Sequence, residues 1–145
     1  MLRHYFSIAL EFKEEWFDNA RKGNLENMKY IHKIMKDQGI EKDIKDWRGL
    51  LNDRIFMRAT NRGRQNVLRW LVHELEFDVN EQDVHGYTAL HVAASNNQSE
   101  CARLLLDVGS QHAQNRLGKT PLDDANRRRH REMINLLKSH FHILF

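Results

Sequence analysis

The sequence predicts an all-α solenoid, in which pairs of helices stack side by side in a single domain of 145 residues. Residues from Gly86 onward match residues from Gly118 onward at an offset of 32, which indicates a repeated structural unit. Within each copy the apolar residues stand three and four positions apart, a spacing that places them on one face of a helix. Pro121 is the only proline, so the chain leaves room for uninterrupted helices.

The third copy of the unit is the most complete. It runs Gly86-Tyr-Thr-Ala-Leu-His-Val-Ala-Ala94 and continues with a second apolar stretch, Leu104-Leu-Leu106. The fourth copy matches it with Gly118-Lys-Thr-Pro-Leu-Asp-Asp-Ala-Asn126. Thr88 and Thr120 precede the first helix of these two copies, and each hydroxyl can accept a free backbone N–H there as an N-cap. The proline of the fourth copy stands at the first helical position, where its missing N–H costs no hydrogen bond.

Two less regular copies precede these. In the second copy, residues 58–63 lead into the apolar stretch 67–72, and in the first copy residues 16–23 lead into 24–31. One turn residue separates the two helices of every copy, and these residues are Gly23, Gly63, Asn97 and Arg129. Glycine and asparagine accept a left-handed turn, whereas arginine costs about 1–2 kcal/mol there, so the shape of the last turn is left open.

Four repeats are expected, two regular and two irregular, at about 8–46, 47–81, 82–113 and 114–145. The extra residues 36–51 are expected to form an extended loop after a lengthened first outer helix, with breaks at Gly39 and Gly49. Trp16 and Trp70 are expected in the core. Trp47 lies in the inserted region, where it either anchors the loop or marks a contact surface.

The last helix is expected to run nearly to Phe145, because an apolar stripe follows helical spacing to the end of the chain. The stripe consists of Met133, Leu136, Leu137, Phe141 and Leu144. It is interpreted as the cap of the stacked array. An exposed docking site, or a chain cut from a longer protein, is the alternative.

These motifs resemble the ankyrin repeat, which has a period of about 33 residues and the signature Thr-Pro-Leu-His-x-Ala. The stretch Thr88-Ala-Leu-His-Val-Ala93 carries that signature, and Phe77-Asp-Val-Asn80 is close to the family's finger strand. The resemblance implies β-hairpin-like finger loops and a role in protein–protein interaction as an adaptor, inhibitor or assembly factor, with no enzymatic activity. It also implies that His91 pins neighbouring repeats by hydrogen bonds, and that Asp123 at the matching position weakens this network in the last repeat.

The resemblance further places partner contacts on the concave face, at the finger tips and at the two residues before each inter-helix turn. Five of the eight residues before the turns are cationic, and we term this set the basic ladder: Arg21, Lys22, Arg62, Arg127 and Arg128. The finger-tip candidates are His85, Tyr87, Leu117 and Lys119. These two sets form the predicted partner-binding site.

The basic ladder has three open interpretations. Cations in the last turn of a helix stabilise it by complementing its dipole, each by about 0.3–1 kcal/mol. Alternatively, the ladder selects an acidic segment of a partner protein, or it binds nucleic acid or another polyanion. The run Arg127–Arg131 is compatible with a nuclear-import patch, a nucleic-acid contact or a solvated turn. A net charge of +3 permits an acidic partner without requiring one.

No cofactor, metal or catalytic site is expected. Cys101 is the only cysteine and falls on a buried helix face, which excludes an internal disulfide and indicates a reducing compartment, the cytoplasm and/or the nucleus. Four histidines fit no standard metal-site spacing and are interpreted as surface residues: His112, His130, His140 and His142. No apolar run approaches the roughly 18 residues of a membrane span, and the protein is expected to be monomeric on its own.

Overall fold

A computed structural model describes residues 2–47 and 54–144. In this part of the chain the protein is built from α-helices and one 3₁₀ helix, without strands, so the predicted all-α solenoid is confirmed. The α-helices are α1 (Leu2–Lys22), α2 (Leu25–Asp37), α3 (Ile55–Asn61), α4 (Gln65–His73), α5 (Ala89–Ser95), α6 (Ser99–Asp107), α7 (Pro121–Arg128) and α8 (Arg131–His140). The 3₁₀ helix is Glu41–Asp46.

The helices form two layers. The inner layer is the row α1, α3, α5 and α7, in which each helix packs on the next, and each inner helix also packs on the outer helix that follows it. The core lies between the layers and holds fully buried side chains from every pair, among them Trp16, Phe56, Leu90 and Met133. Burying one such side chain stabilises the fold by about 1.5–3 kcal/mol. No pair could bury both of its apolar faces alone, so stacking supplies the stability.

The two helices of each pair are joined through a left-handed residue. The backbone φ is +77° at Gly23, +69° at Gly63, +54° at Asn97 and +60° at Arg129. Arg129 therefore keeps the same turn as its glycine and asparagine equivalents, despite the conformational cost for an arginine.

In the second, third and fourth pairs, the residue after the left-handed position ties that pair to the preceding one. The Nε of Arg64 donates to the carbonyl oxygen of Arg21 at 3.0 Å, and the Nε2 of Gln98 donates to that of Asn61 at 3.3 Å. The Nδ1 of His130 donates to the Ala94 carbonyl oxygen at 2.9 Å. Each acceptor is one of the last carbonyls of an inner helix, which have no partner within the helix itself. These side chains therefore cap one repeat from the next.

The segment between the first two pairs is more ordered than a loop. Helix α2 has 13 residues against nine in α4, as a lengthened outer helix predicted. Gly39 ends it with φ of +72°, and the 3₁₀ helix then buries Ile40 and Ile44 at the edge of the core. Trp47 is partly buried against the same core, whereas Gly49 lies outside the described residues.

The last helix is shorter than predicted. Helix α8 ends at His140, because His142 adopts a left-handed conformation with φ of 54° and the Ile143 N–H donates to the Lys138 carbonyl oxygen at 2.9 Å. This bond closes a Schellman-type C-terminus. Phe141 leaves the helical stripe and stacks on His112, with ring centroids 4.8 Å apart. Leu144 is 91% exposed, and Phe145 lies outside the described residues.

Candidate functional site

The basic ladder occupies equivalent positions on the inner layer. Arg21 and Lys22 end α1, Arg62 caps α3, and Arg127 and Arg128 end α7. Because the inner helices stack in a row, these positions lie at the same end of each helix. The structure therefore places the predicted ladder residues at matching ends of the inner helices.

At the first step of the ladder one carboxylate of the same helix contacts both cations and balances one of their two charges. The Nη2 of Arg21 lies 2.8 Å from Oδ1 of Asp18, and the Lys22 ammonium contacts the other oxygen of the same carboxylate. The hydrogen bonds from Lys22 and Arg21 hold the pKa of Asp18 below its usual value. Asp124 plays the same part in α7, where its Oδ1 lies 3.5 Å from Nη2 of Arg127.

Two cations of the ladder remain without an acidic partner. Arg62 and Arg128 are both exposed, and neither forms an ion pair with any residue that the structure describes. The ladder is thus uneven, which its sequence pattern had not indicated. Asp18 and Asp124 were missed, although the spacing Asp-x-x-Arg within a helix is a sufficient sequence signal for such pairs.

The middle of the ladder is neutral. Ser95 and Asn96 occupy the equivalent positions of α5, and the Asn96 amide donates to the Val92 carbonyl oxygen at 2.9 Å. Arg62 and Arg128 are therefore separated by two helix spacings, or roughly 16–20 Å at 8–10 Å per spacing. A single small anion cannot contact both residues, whereas an extended chain can.

The finger loops of the third and fourth pairs are rigid turns. In the third, Asp83 Oδ1 accepts the N–H groups of His85 and Tyr87, each at 2.9 Å. Asn115 organises the fourth finger in the same way, accepting from the N–H groups of Leu117 at 2.9 Å and Lys119 at 3.0 Å. The fingers therefore resemble hairpins in their hydrogen bonding, although no strand is assigned within 2–47 and 54–144.

The two finger tips are joined into one platform. The Arg116 N–H donates to the His85 carbonyl oxygen at 3.0 Å, and the Gln82 amide donates to the backbone of both fingers. On this platform the Leu117 side chain is 77% exposed, and Lys119 is exposed beside it. The predicted tips thus present an apolar side chain flanked by cations.

Tyr87 is a partial exception among the finger-tip candidates. Its ring packs edge-on against the His91 ring, with centroids 5.5 Å apart, and it is only partly exposed. The tyrosine therefore supports the finger through this ring contact.

His91 is a buried structural residue. The Thr88 N–H donates to its Nδ1 at 3.1 Å, so the proton of the neutral ring is on Nε2, which donates to the Lys119 carbonyl oxygen at 2.9 Å. Burial lowers the pKa of His91, which favours this neutral form. Asp123 closes the equivalent capping box onto Thr120. The expected pinning role of the histidine is confirmed.

The remaining titratable candidates do not form a reactive site. Burial, with a smaller contribution from Glu100, raises the pKa of the Cys101 thiol to about 11, so the thiol is neutral at physiological pH. The interpretation of His112 and His130 as surface residues is wrong. His112 stacks against Phe141, and burial lowers its pKa. His130 donates to the Ala94 carbonyl oxygen and so ties the last two pairs together.

Within residues 2–47 and 54–144, no group of three or more His, Cys, Asp or Glu side chains is arranged to hold a metal ion. Among the same residues, no helix combines the length and the apolar character that crossing a lipid bilayer requires.

Comparison with known proteins matches this architecture. The family described as ankyrin repeats (3 copies) matches residues 18–115 and 56–143. The chain is also similar to the serine/threonine-protein kinase VIK of Arabidopsis thaliana, with 36% identity over 90 residues. That alignment covers 53% of this chain and 20% of the kinase, so the chain spans about a fifth of the relative's length.

Proposed function

Since the chain belongs to the ankyrin-repeat family, whose repeats generally mediate protein–protein interaction, we propose that it binds an acidic segment of a partner protein on its concave face. The observation that carries the proposal is the uneven neutralisation of the basic ladder. Arg62 and Arg128 keep their charge available, whereas Arg21, Lys22 and Arg127 contact aspartates of their own helices.

The spacing of the two free arginines favours a chain over a compact anion. A partner segment in extended conformation advances about 3.3 Å per residue, so five or six residues bridge the roughly 16–20 Å between Arg62 and Arg128. Carboxylates at both ends of such a segment would form charge-assisted hydrogen bonds with the guanidinium groups.

The finger platform supplies an apolar contact beside these charges. Leu117 is held on a turn whose N–H groups are already bonded to Asn115, so little conformational entropy is lost when a partner covers it. Lys119 stands next to it. The segment that fits best therefore carries an apolar residue next to its acidic ones.

The proposal extends to an adaptor, inhibitor or assembly factor that acts as a monomer in the cytoplasm or nucleus. A reducing compartment is supported by the buried, neutral thiol of Cys101, the single cysteine of the sequence.

The test is affinity capture with two matched double variants. Arg62→Glu with Arg128→Glu reverses both free ladder cations, and Lys36→Glu with Arg131→Glu reverses two exposed cations on the outer helices. We expect the first variant to fold but to lose its partners, and the second to retain them, as quantified by mass spectrometry of captured proteins. Equal recovery by both variants would show that the ladder does not bind the partner.

Nucleic-acid binding is the second candidate, because Arg127, Arg128, Arg129 and Arg131 are all exposed around the last turn. It predicts a steep loss of duplex affinity with salt, with a log–log slope of about −0.9 for each phosphate contacted. Fluorescence anisotropy with labelled duplex and single-stranded oligonucleotides separates the two functions. Absence of binding at low salt eliminates the second candidate.

A further inference from the structure

A groove opens on the outer layer, on the side opposite the concave face. It lies between α2 and α4, has a volume of about 380 Å³, and is lined by Leu25 and Lys29 from one side and Arg69, Trp70 and His73 from the other. This volume is within the range of ligand-binding clefts. The basic ladder is on the inner layer, so the groove is a separate surface.

At the groove a tryptophan stands where the third and fourth pairs have a leucine. The seventh residue after the left-handed turn is Trp70 in the second pair, but Leu104 in the third and Leu136 in the fourth. The Trp70 ring packs against the rings of both Trp16 and His32, with centroids 5.6 Å and 5.7 Å away, and those two rings are 6.4 Å apart. Helix α4 packs directly on α6, and α6 on α8, whereas α2 and α4 approach each other less closely. The indole fills the space between them and leaves its edge in the groove.

The charges of the groove differ from those at the junction of α6 and α8. Between α6 and α8, Arg103 on the sixth position after the turn reaches Glu132 on the third position of the next pair, at 3.3 Å. Between α2 and α4 the equivalent residues are Lys29 and Asn66, which cannot form an ion pair. The nearest acid to Lys29 is Glu26, 3.9 Å away and 89% exposed, so this pair contributes little.

Arg69 is the second uncompensated cation of the groove. It is exposed and forms no ion pair within the described residues. His73 stands one turn further along the same helix, and Glu74 at the end of α4 is the one carboxylate among the groove-lining residues. The groove thus joins an apolar floor, made by Trp70 and Leu25, to two cations without acidic partners across the groove.

We propose that this outer groove is a second docking site, and that its occupant is a short acidic segment of a partner protein with an apolar residue between its carboxylates. The carboxylates would pair with Lys29 and Arg69, and the apolar side chain would cover the Trp70 edge. Tryptophan and arginine are the residue types that contribute most to binding at protein interfaces. Charge complementarity selects an acidic occupant, and the apolar floor favours a peptide over a free inorganic anion.

The experiment uses the full chain labelled with ¹⁵N and a synthetic probe, the acetylated and amidated hexapeptide Glu-Glu-Leu-Glu-Glu-Leu. The three tryptophans give three indole N–H signals, and that of Trp70 is assigned from the Trp70→Phe variant. We expect the peptide to shift the Trp70 signal saturably. We expect the same peptide with glutamine for glutamate to bind at least tenfold more weakly.

A matched pair of variants locates the site. Arg69→Glu should lower the affinity for the peptide at least tenfold, whereas Arg103→Glu, at the equivalent position of the third pair, should leave that affinity unchanged. No shift of Trp70, equal binding to both variants, or shifts confined to the concave face would overturn the proposal. A duplex oligonucleotide that shifts Trp70 at lower concentration than the peptide would also overturn it, because the occupant would then be a nucleic acid. The double variant Arg62→Glu with Arg128→Glu, which lacks the concave site, should bind the peptide in the outer groove with unchanged affinity.

Discussion

The backbone of Gly86 passes so close to that of Arg116 that a Cβ atom at Gly86 would lie 2.9 Å from the Arg116 nitrogen. The next atom is the Asn115 Cα at 3.0 Å. Both contacts are with backbone, which cannot rotate away as a side chain can. The two finger loops are therefore packed on each other without space for one methyl group.

We predict that Gly86→Ala destabilises the protein more than Gly118→Ala. Both glycines have positive φ, +80° and +72°, so alanine carries a similar backbone cost of about 1–2 kcal/mol at each. Only at Gly86 does the methyl group meet the neighbouring finger, because nothing lies within 4 Å of a Cβ at Gly118. The clash adds about 1–3 kcal/mol. Urea unfolding followed by circular dichroism measures both variants, and equal destabilisation would refute the packing of the fingers.

His91→Ala is expected to lower the free energy of unfolding by about 1–3 kcal/mol. The substitution leaves the buried Thr88 cap and the Lys119 carbonyl oxygen without their imidazole partner. His85→Ala is the control, since His85 is exposed and should change the stability by less than about 0.5 kcal/mol. Comparable losses in the two variants would mean that the buried network does not hold the repeats together.

Stability should fall as the pH drops below about 6.5, the pKa of an unperturbed histidine. Burial lowers the folded-state pKa of His32, His91 and His112, so the unfolded chain binds more protons in this range. Protons therefore favour unfolding from about pH 6.5 down through the folded-state pKa values. Asp18 and Asp123 also have lowered pKa values, but their contribution is lost only below about pH 4, the pKa of an unperturbed aspartate.

Urea titrations at pH 7.5, 6.5 and 5.5 measure this dependence. The His91→Ala variant should show a shallower decline than the wild type, because it lacks one of the three groups. A free energy of unfolding that stays constant from pH 7.5 to 5.5 would contradict the assignment of these histidines as buried and neutral.

Arg129→Gly should stabilise the protein by about 0.5–1 kcal/mol. Arg129 has φ of 60° and ψ of 36°, and glycine relieves the left-handed strain while increasing the entropy of the unfolded chain. The neighbouring Arg128→Gly is the control with the opposite sign, because Arg128 is helical and glycine there costs up to about 1 kcal/mol. Thermal unfolding of both variants tests the pair, and a loss of stability in Arg129→Gly would show that the arginine makes a compensating contact.

The positions of the helices were largely predictable, because the signals that start each helix are residues next to it in the sequence. Thr88 and Thr120 each close a capping box at the start of an inner helix, as N-cap threonines predict. The turn at Arg129 was not predictable, because its cost is offset by a contact from another pair, the bond of His130 to Ala94. The length of α8 was overestimated for a related reason. Its apolar residues keep helical spacing, but Phe141 packs on His112, a residue 29 positions away.

The position of the candidate site was predictable from the repeat, whereas the pairing of its charges was missed although the Asp-x-x-Arg spacing indicates it. The equivalence of Lys22, Arg62 and Arg128, each one residue before the left-handed turn, follows from the repeat, because matching helix pairs place matching positions on one face. Whether each arginine is free depends on the residue one turn earlier, which is Asp18 in α1 and Asp124 in α7.

The sequence by itself determined the repeat and the order of its helices, because both depend on periodicity and turn residues within about 33 positions. Only the tertiary structure decided the width of the outer groove and the pairing of Arg103 with Glu132. These depend on side chains meeting across separate helix pairs. Trp70 likewise contacts Trp16 and His32 of the first pair only once the helices are stacked.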